Sequence, residues 1–316
     1  MKSLEKHMVI GISSRALFDL TLENEIFERQ GVEAYCNYQV EHETDILKPG
    51  PGFALVEALL RLNENREEKL VEVIVMSRNS PDTSLRVFNS IKHYGLDITR
   101  AVLVSGASLA PYLNAFETDL FLSAYEDDVQ CAIDCGIAAG IICTQHVEEP
   151  RVIYPKAWQI RIAFDGDAVL FSDESERIYK EKGLGAFEEN ERENAENPLN
   201  EGPFANFLKK LSGIRQKLGT DNCPIRIALV TARSAPAHER VIKTLRSWNV
   251  RVDEAFFLGG IDKREVLRAF GAQIFFDDQS IHTLSASMAV PAARVPYRQD
   301  RKREELINEV STYCTG

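Results

Sequence analysis

The sequence has no segment suited to a lipid bilayer or to secretion. No apolar run approaches the roughly 18–20 residues that a membrane-spanning helix needs. The first residues, Met1–His7, lack the apolar core and the small-residue cleavage site of a signal peptide. We therefore expect a cytoplasmic protein that has no membrane partner.

The sequence is also short of positive charge. It holds 37 Lys and Arg against 48 Asp and Glu, which leaves a net charge of −11. Such a chain does not offer the general basic surface that binds nucleic acid. A small anionic substrate is still compatible with this balance, because a local cation or a bound metal can reverse the field inside a cleft.

Cysteine is sparse, and its spacing matches no metal-binding or redox motif. None of the spacings is Cys-x-x-Cys, the pattern typical of zinc sites and redox motifs. We expect reduced thiols that pack as small apolar groups in a reducing compartment. The six cysteines are Cys36, Cys131, Cys135, Cys143, Cys223 and Cys314.

Short apolar segments alternate with amphipathic helical segments along the chain. A hydrophobic content of 44% over 316 residues is enough for two globular domains. The alternation predicts an α/β fold with parallel sheets, whose ligands bind beyond the carboxyl ends of the strands. The predicted strands are Met8–Ile12, Val71–Met76, Ala101–Val104, Asp119–Leu122, Gly140–Cys143, Ile225–Val230, Ala255–Leu258, Gln273–Phe276 and Arg294–Val295, and helices are predicted over Ser84–His93 and His238–Trp248.

The second half of the chain repeats the first. Adding 152 to early positions aligns like residues, and from Ser77 onward the offset is 154. We infer two copies of one domain, 1–150 and 151–316, joined by a link over His146–Tyr154. The aligned positions include Ser13 with Asp165, Arg15 with Asp167, Ala16 with Ala168, Gly50-Pro51 with Gly202-Pro203, Ser77 with Thr231, Gly106 with Gly260, and Phe121 with Phe275.

Only the second copy carries a full set of reactive groups. Asp165 and Asp167 end an apolar run, and in an extended chain the side chains at i and i+2 point the same way. We therefore expect both acids to face one site. Three further elements follow in a fixed order, mostly at predicted strand ends: Thr231, Lys263 and Asp277-Asp278. A hydroxyl, a cation and several acids form a set suited to phosphoryl transfer.

A long insertion separates the first two strands of the second copy. It runs from about Ser172 to Asn222 and begins with the charged segment Asp173–Asn197, which is typical of a solvated helix face or a mobile loop. Apolar residues then recur at helical spacing from Phe204 to Leu218. We predict that the insertion forms a helical cap that excludes water from the site.

The longer strings around these residues resemble a known family. Residues 164–176 (FDGDAVLFSDESE), 231–240 (TARSAPAHER), 13–19 (SSRALFD) and 47–51 (LKPGP) are similar to the cytosolic 5′-nucleotidase type I family of the haloacid dehalogenase superfamily. The resemblance implies two tandem haloacid-dehalogenase-like domains with Rossmann-like parallel sheets, the first degenerate and non-catalytic. It also implies Mg²⁺-dependent hydrolysis of nucleoside 5′-monophosphates, typically AMP-like ones, to nucleoside and phosphate.

Two acids carry the chemistry that the resemblance implies. Asp165 would attack the phosphorus and form an aspartyl-phosphate. Asp167 would protonate the leaving 5′-oxygen and then activate the water that cleaves this intermediate. Thr231 and Lys263 would bind the phosphoryl oxygens as charge redistributes in the transition state.

The resemblance also implies a Mg²⁺ site, and two further residues are candidates for substrate contacts. Mg²⁺ prefers hard oxygen ligands. The Asp165 carboxylate, the Asp167 backbone carbonyl and an acid of the Asp277-Asp278 pair would supply them, and the sequence does not separate the two adjacent acids. Arg233 and Ser234 follow the threonine motif and would contact the substrate, although a helix start with ordinary surface residues explains them equally well.

Polar residues in the first copy predict a second site. Ser13, Arg15, Ser77 and Arg78 would converge on one cleft if the two copies fold alike. Hydroxyls and guanidinium groups can bind phosphate oxygens without a metal. The residues are therefore consistent with an anion site for a phosphate-bearing nucleotide effector, with an arginine supplied to the neighbouring active site, or with a scaffold whose polar groups are hydrated or bonded to one another.

Two other functions fit the same motifs. A phosphatase of this chemistry could act on a sugar phosphate or another small phosphomonoester, because the cap and the pocket set specificity. A nucleotide-sensing protein with little turnover is the alternative outside the enzymes, since the first copy shows that the chemistry can be lost. The complete set in the second copy argues against the sensor. Whether the chain forms a homo-oligomer stays open.

Overall fold

The structure is a computed structural model that describes residues 7–144, 159–219 and 223–298. The described residues form two compact units: the first ends at Thr144 and also holds Arg298, and the second ends at Tyr297. The predicted link, His146–Tyr154, and the predicted domain boundary after residue 150 lie outside the described residues. Both units are mixed α/β with parallel strands, as the sequence predicted.

The first unit has a five-stranded parallel sheet in the order β3-β2-β1-β4-β5. Its strands are β1 (Met8–Ile12), β2 (Val71–Ser77), β3 (Arg100–Leu103), β4 (Leu120–Ser123) and β5 (Ala138–Ile142). The central strands are buried along their whole length, which is why they are continuous apolar runs in the sequence. The helices are α1 (Ser14–Leu17), α2 (Thr21–Glu41), α3 (Phe53–Arg61), α4 (Leu85–His93), α5 (Ala110–Ala115) and α6 (Glu126–Asp134).

The second unit has the same strand order, β8-β7-β6-β9-β10, and all its strands are parallel. Its strands are β6 (Ile160–Phe164), β7 (Ile225–Thr231), β8 (Glu254–Phe257), β9 (Ile274–Asp277) and β10 (Ala292–Arg294), and its helices are α7 (Glu174–Glu193), α8 (Ala205–Leu218), α9 (His238–Ser247), α10 (Arg264–Phe270) and α11 (Ser280–Ser287). The nine predicted strands are confirmed to within about two residues at either end.

The charged segment after β6 is helical rather than a loop. Most of it forms α7, whose buried residues are Ser175, Phe187 and Glu191. Helix α8 begins one residue after Phe204, and the rings of Phe164, Phe204, Phe207 and Phe276 pack together between α8 and the strands β6 and β9. This core holds the ends of the two central strands firmly. Among the described residues, no helix combines the length and the apolar character needed to cross a membrane.

The two units share details beyond strand order, but the turn after the first strand differs. A glycine at positive φ interrupts the following helix in each unit, Gly31 at φ 87° and Gly183 at φ 82°. In the first unit, Phe18 N donates to the carbonyl four residues before it, whereas in the second Phe171 N donates to the carbonyl five residues before it. The second unit therefore has one more residue in this turn, which spans Gly166–Leu170 and is as wide as a π-helical turn.

The extra residue changes the alignment of the two units locally. The carbonyls of Leu17 and Leu170 each accept a hydrogen bond from the first residue of the later Gly-Pro pair, so these leucines are equivalent. The alignment of Ala16 with Ala168 was thus wrong by one residue. A constant offset of 152 does not reveal the extra residue, because Gly31 and Gly183 further along the chain are again 152 residues apart. Asp167 lies inside the widened turn.

Candidate active site

The predicted residues of the second unit lie at the carboxyl ends of its central strands. Asp165 follows β6, Thr231 ends β7 and Asp277 ends β9, and all three are buried. The amide of Asp165 donates to the carbonyl of Phe276 at 2.8 Å, which ties the ends of β6 and β9 together. The parallel sheet therefore brings together side chains that are up to 112 residues apart, between Asp165 and Asp277.

Lys263 lies between the two acids. Its Nζ is 2.9 Å from Asp165 Oδ1 and 2.6 Å from Asp277 Oδ2, and the residue is only 3% exposed. Burial by itself would lower the pKa of Lys263, but the carboxylates of Asp165 and Asp277 outweigh burial and raise it. Lys263 is thus a fixed cation in the centre of the site.

Three carboxylates form a group that can hold a metal. Oxygens of Asp165, Asp277 and Asp278 lie within 4.8 Å of one another. Burial raises the pKa of Asp165 to about 8 against the opposing effect of Lys263, and burial raises that of Asp278 to about 6. Asp165 and Asp278 therefore resist ionisation, whereas His282 and Lys263 lower the pKa of Asp277 against the effect of burial. A hard divalent cation beside this group would favour the charged forms of all three carboxylates. The hydroxyl of Tyr297 is 2.5 Å from Asp278 Oδ2.

The side chain of Asp167 is not part of this acidic group. Its carboxylate is paired with Arg233 through both oxygens, with Nε to Oδ2 at 2.8 Å and Nη2 to Oδ1 at 2.6 Å. The expectation that Asp165 and Asp167 share one direction assumed an extended chain. The wide turn at Gly166–Leu170 breaks that assumption, so the alternation rule does not set the direction of Asp167. Coordination of a metal by its backbone carbonyl stays a prediction.

Arg233 is held in turn by a buried glutamate that the sequence analysis missed. Glu191 of α7 accepts from Arg233 through Oε2, and its Oε1 accepts from Arg240 Nη1 at 2.9 Å and from Ser175 Oγ at 2.8 Å. The carboxylate is fully buried. The charge of this segment predicts a solvated helix face or a mobile loop. The signal for burial in the sequence is Phe187, an apolar residue one turn before Glu191 on the same face of the helix.

Replacing Glu191 with glutamine should lower the free energy of unfolding at pH 7 by about 3 kcal/mol, because two arginines lose their buried counter-charge. Burial alone would raise the pKa of Glu191. The opposing effect of its partners, of which Arg233 has the largest, is stronger, so the pKa lies below the ordinary 4.5. A lowered pKa stabilises the fold above pH 4.5, and this contribution is lost as the pH falls through the folded-state value. Urea unfolding should therefore show a large difference in unfolding free energy between the Glu191→Gln and unsubstituted proteins at pH 7. At pH 3 this difference should be smaller.

Glu189→Gln is the matched control, since Glu189 lies on the same helix and is exposed. Its unfolding free energy should stay within about 0.5 kcal/mol of the unsubstituted protein. Equal losses for the two glutamates would show that the buried position of Glu191 does not matter.

The remaining predicted residues occupy different places. Thr231 Oγ1 accepts from the amide of Arg233 at 3.2 Å and lies close to Gly166, where an added Cβ would come within 3.4 Å of it. Ser234 is exposed. His282, which the sequence analysis did not single out, has Nδ1 3.3 Å from Asp277 Oδ2, and that carboxylate raises the pKa of the imidazole.

Three of the four residues proposed for the first-copy site are already bonded to other groups of the same unit. Ser13 Oγ accepts from the amide of Ala16 at 3.3 Å and caps α1. Ser77 Oγ lies 3.1 Å from Ser14 Oγ, and Arg78 is paired with Asp128 at 2.5–2.8 Å. The fourth, Arg15, donates from Nη1 to the neutral Asn24 at 2.7 Å and has no carboxylate partner among the described residues.

The sequence profile of the 5′-nucleotidase family matches residues 1–302. The human protein named cytosolic 5′-nucleotidase 1B is 41% identical over 286 residues, which cover 87% of this chain. The chain spans about half of that curated relative, 46% of its length.

Proposed function

This chain belongs to the 5′-nucleotidase family, and on that premise we propose that it is a Mg²⁺-dependent hydrolase of AMP-like nucleoside 5′-monophosphates. The observation that carries the proposal is the buried group of Asp165, Lys263, Asp277 and Asp278 at the carboxyl ends of the strands. A nucleophile, a fixed cation and a set of hard oxygen ligands meet there. The relative's name supports the nucleotide as substrate.

In the proposed reaction, Asp165 attacks the phosphorus of the substrate. The bond to the 5′-oxygen breaks, an aspartyl-phosphate forms, and water then cleaves it. Lys263, 2.9 Å from Asp165 Oδ1, lies where it can also stabilise the phosphoryl oxygens. Thr231 ends the neighbouring strand and can place its hydroxyl on the same group.

Asp167 is proposed as the acid in the first step and the base in the second. In the structure its carboxylate is held by the two-pronged contact with Arg233, a geometry that fixes direction as well as charge. We therefore assign Arg233 a role in positioning Asp167, in addition to its predicted contact with the substrate. To protonate the leaving oxygen, Asp167 has to leave Arg233 and take up a proton from solvent. After it accepts a proton from the attacking water, it releases that proton to solvent and can pair with Arg233 again.

Mg²⁺ would be held by the carboxylates of Asp165 and of Asp277 or Asp278, with the Asp167 carbonyl as a further ligand. When bound, it supplies positive charge that offsets the acids and polarises the phosphoryl group. The oxygens of Asp165, Asp277 and Asp278 lie within 4.8 Å of one another, close enough for one cation to contact all three carboxylates. The acids alone would repel a phosphate dianion.

The segment between β6 and β7 is proposed as the cap of this site. Helix α7 reaches the site twice, through Glu191 to Arg233 and through Glu176, whose Oε2 is 2.8 Å from the Tyr297 hydroxyl beside Asp278. Movement of α7 would therefore disturb the contacts that support Asp167, through Arg233, and Asp278, through Tyr297. The shared strand order and the helix glycines support the further proposal that the units arose by duplication and that the first is a degenerate copy.

A phosphate-release screen tests the substrate class. With Mg²⁺ present, AMP should exceed ribose 5-phosphate and glucose 6-phosphate in kcat/KM by at least about tenfold, because a base-binding pocket leaves sugar phosphates with unmade contacts. Preference for a sugar phosphate would favour the alternative phosphatase, and absence of turnover on all compounds would favour the nucleotide sensor. A nucleotide effector, a homo-oligomer and a cytoplasmic location stay predictions.

A further inference from the structure

The first unit contains a cavity of about 480 Å³ at the carboxyl ends of its strands. Its floor is formed by the residues that follow β1, β2, β3 and β4, and its outer wall is helix α2. This is the edge at which parallel α/β sheets bind ligands. The volume falls within the range of small-molecule sites. The mechanism proposed for the second unit does not use this cavity.

The wall formed by α2 carries aromatic and aliphatic side chains beside two polar ones, Glu23 and Asn24, and the carboxylate of Glu23 is paired with Arg86 at 2.5 Å. Phe27 and Tyr35 pack edge to face with ring centroids 5.9 Å apart, and Val32 lies between them in the sequence. Gly31 interrupts the helix at φ 87°, a conformation that favours glycine, and so sets the angle between the two halves of the wall. Phe27 remains 49% exposed although it lines the cavity. An exposed ring at the mouth of a cavity is a surface on which a planar ligand can stack.

The floor carries hydrogen-bond donors and one positive charge without a carboxylate partner. Arg15 lies over the ring of Tyr125 at 5.8 Å, and its Nε is buried without a hydrogen bond to any described residue. The side-chain nitrogen of Asn79 is likewise buried, and it lies beside the hydroxyl of Tyr35 in the same cavity. By contrast, Arg78 is neutralised by Asp128, so it adds no net charge.

We propose that this cavity is a binding site for a small ligand that joins an anionic group to a planar aromatic ring, the chemistry of a nucleotide. The anionic group would be bound by Arg15 and Asn79, because guanidinium and amide donors suit phosphate or carboxylate oxygens. The ring would pack against Phe27 and Tyr35. Binding here needs neither a metal nor catalysis in the second unit.

Cys36 provides a reporter inside the cavity, since it is a half-buried free thiol in the α2 wall. The experiment measures the alkylation rate of each cysteine by peptide mass spectrometry. The Asp165→Asn protein is used in EDTA, so that the probes are not hydrolysed and the metal site is empty. The probes are AMP, ADP, adenosine and inorganic phosphate at millimolar concentration, and Cys223 of the second unit is the internal reference.

AMP or ADP should slow the alkylation of Cys36 severalfold and leave Cys223 unchanged. Arg15→Gln should raise the nucleotide concentration needed for half-protection by about tenfold, as expected for the loss of a charge-assisted hydrogen bond. Arg29→Gln is the matched control, because Arg29 is an exposed arginine of α2 that pairs only weakly with Glu25 at 3.8 Å and does not line the cavity.

Four results would overturn the proposal. They are an unchanged Cys36 rate with every probe, full protection retained in Arg15→Gln, protection by adenosine equal to that by AMP, and protection by phosphate equal to that by AMP. The last two would remove the need for the anion and for the ring, respectively. Each variant's Cys36 rate without a probe should match that of the parent, which shows that the cavity itself is intact.

Discussion

Asp165→Asn should lower phosphatase turnover on the order of 10⁴-fold, equivalent to about 5.5 kcal/mol of transition-state stabilisation. The amide keeps the shape of the side chain, but it is a poor nucleophile and cannot form the aspartyl-phosphate. The measurement is kcat for AMP under Mg²⁺ saturation. Mass spectrometry of acid-quenched enzyme should find phosphate on the peptide that holds residue 165 in the unsubstituted protein only.

Ser13→Ala is the matched control for this change. Ser13 occupies the equivalent position after β1 in the first unit, where it caps α1. Losing the cap should cost about 1 kcal/mol of stability and leave kcat within about twofold. Circular dichroism should show that the Asp165→Asn protein is folded. Undiminished turnover in a folded Asp165→Asn protein would refute the nucleophile assignment.

Removal of divalent metal should be the second largest effect, lowering kcat/KM by at least about 100-fold. Without the metal, Lys263 alone faces three carboxyl groups, and the ionised ones repel the phosphate dianion. Burial also raises the pKa of Asp165 to about 8, so most of this carboxyl is protonated at pH 7 and cannot attack. Because the ionised fraction grows as the pH rises through that value, the residual metal-free rate should increase between pH 7 and pH 9.

The test is exhaustive treatment with EDTA followed by gel filtration, with activity measured before and after Mg²⁺ is restored. Recovery on adding Mg²⁺ separates metal loss from unfolding. Full activity after chelation would contradict the metal site formed by Asp165, Asp277 and Asp278. A residual rate that falls with rising pH would contradict the protonation argument even if the metal requirement held.

The sequence predicted the part of the site that depends on strand ends. Asp165, Thr231 and Asp277 each follow or end a buried apolar run, and such runs are easy to recognise because these strands are covered on both faces. Once the strands are parallel, their carboxyl ends meet. The position of Asp165, Thr231 and Asp277 at one edge therefore follows from local pattern and chain direction alone.

The supports of the site were not predictable in the same way. Arg233 meets Asp167 over a separation of 66 residues and Glu191 over 42, and none of these pairs belongs to a repeating pattern. A glutamate in a charged segment resembles any solvated residue until a neighbouring helix buries it. The direction of Asp167 depends on one extra residue in a turn, which neither composition nor periodicity reveals.

The first unit shows most clearly what sequence alone determines and what requires the tertiary structure. The residue types at its strand ends already indicated hydroxyls and arginines in place of acids. Only the packing decides which of these groups are available to a ligand. Arg78 is paired with Asp128, and the hydroxyls of Ser13 and Ser77 accept hydrogen bonds from nearby backbone amides. Arg15 donates to the neutral Asn24, so no carboxylate among the described residues offsets its charge. Availability depends on the neighbours that the fold brings within hydrogen-bond distance, since most buried polar groups are bonded to a partner.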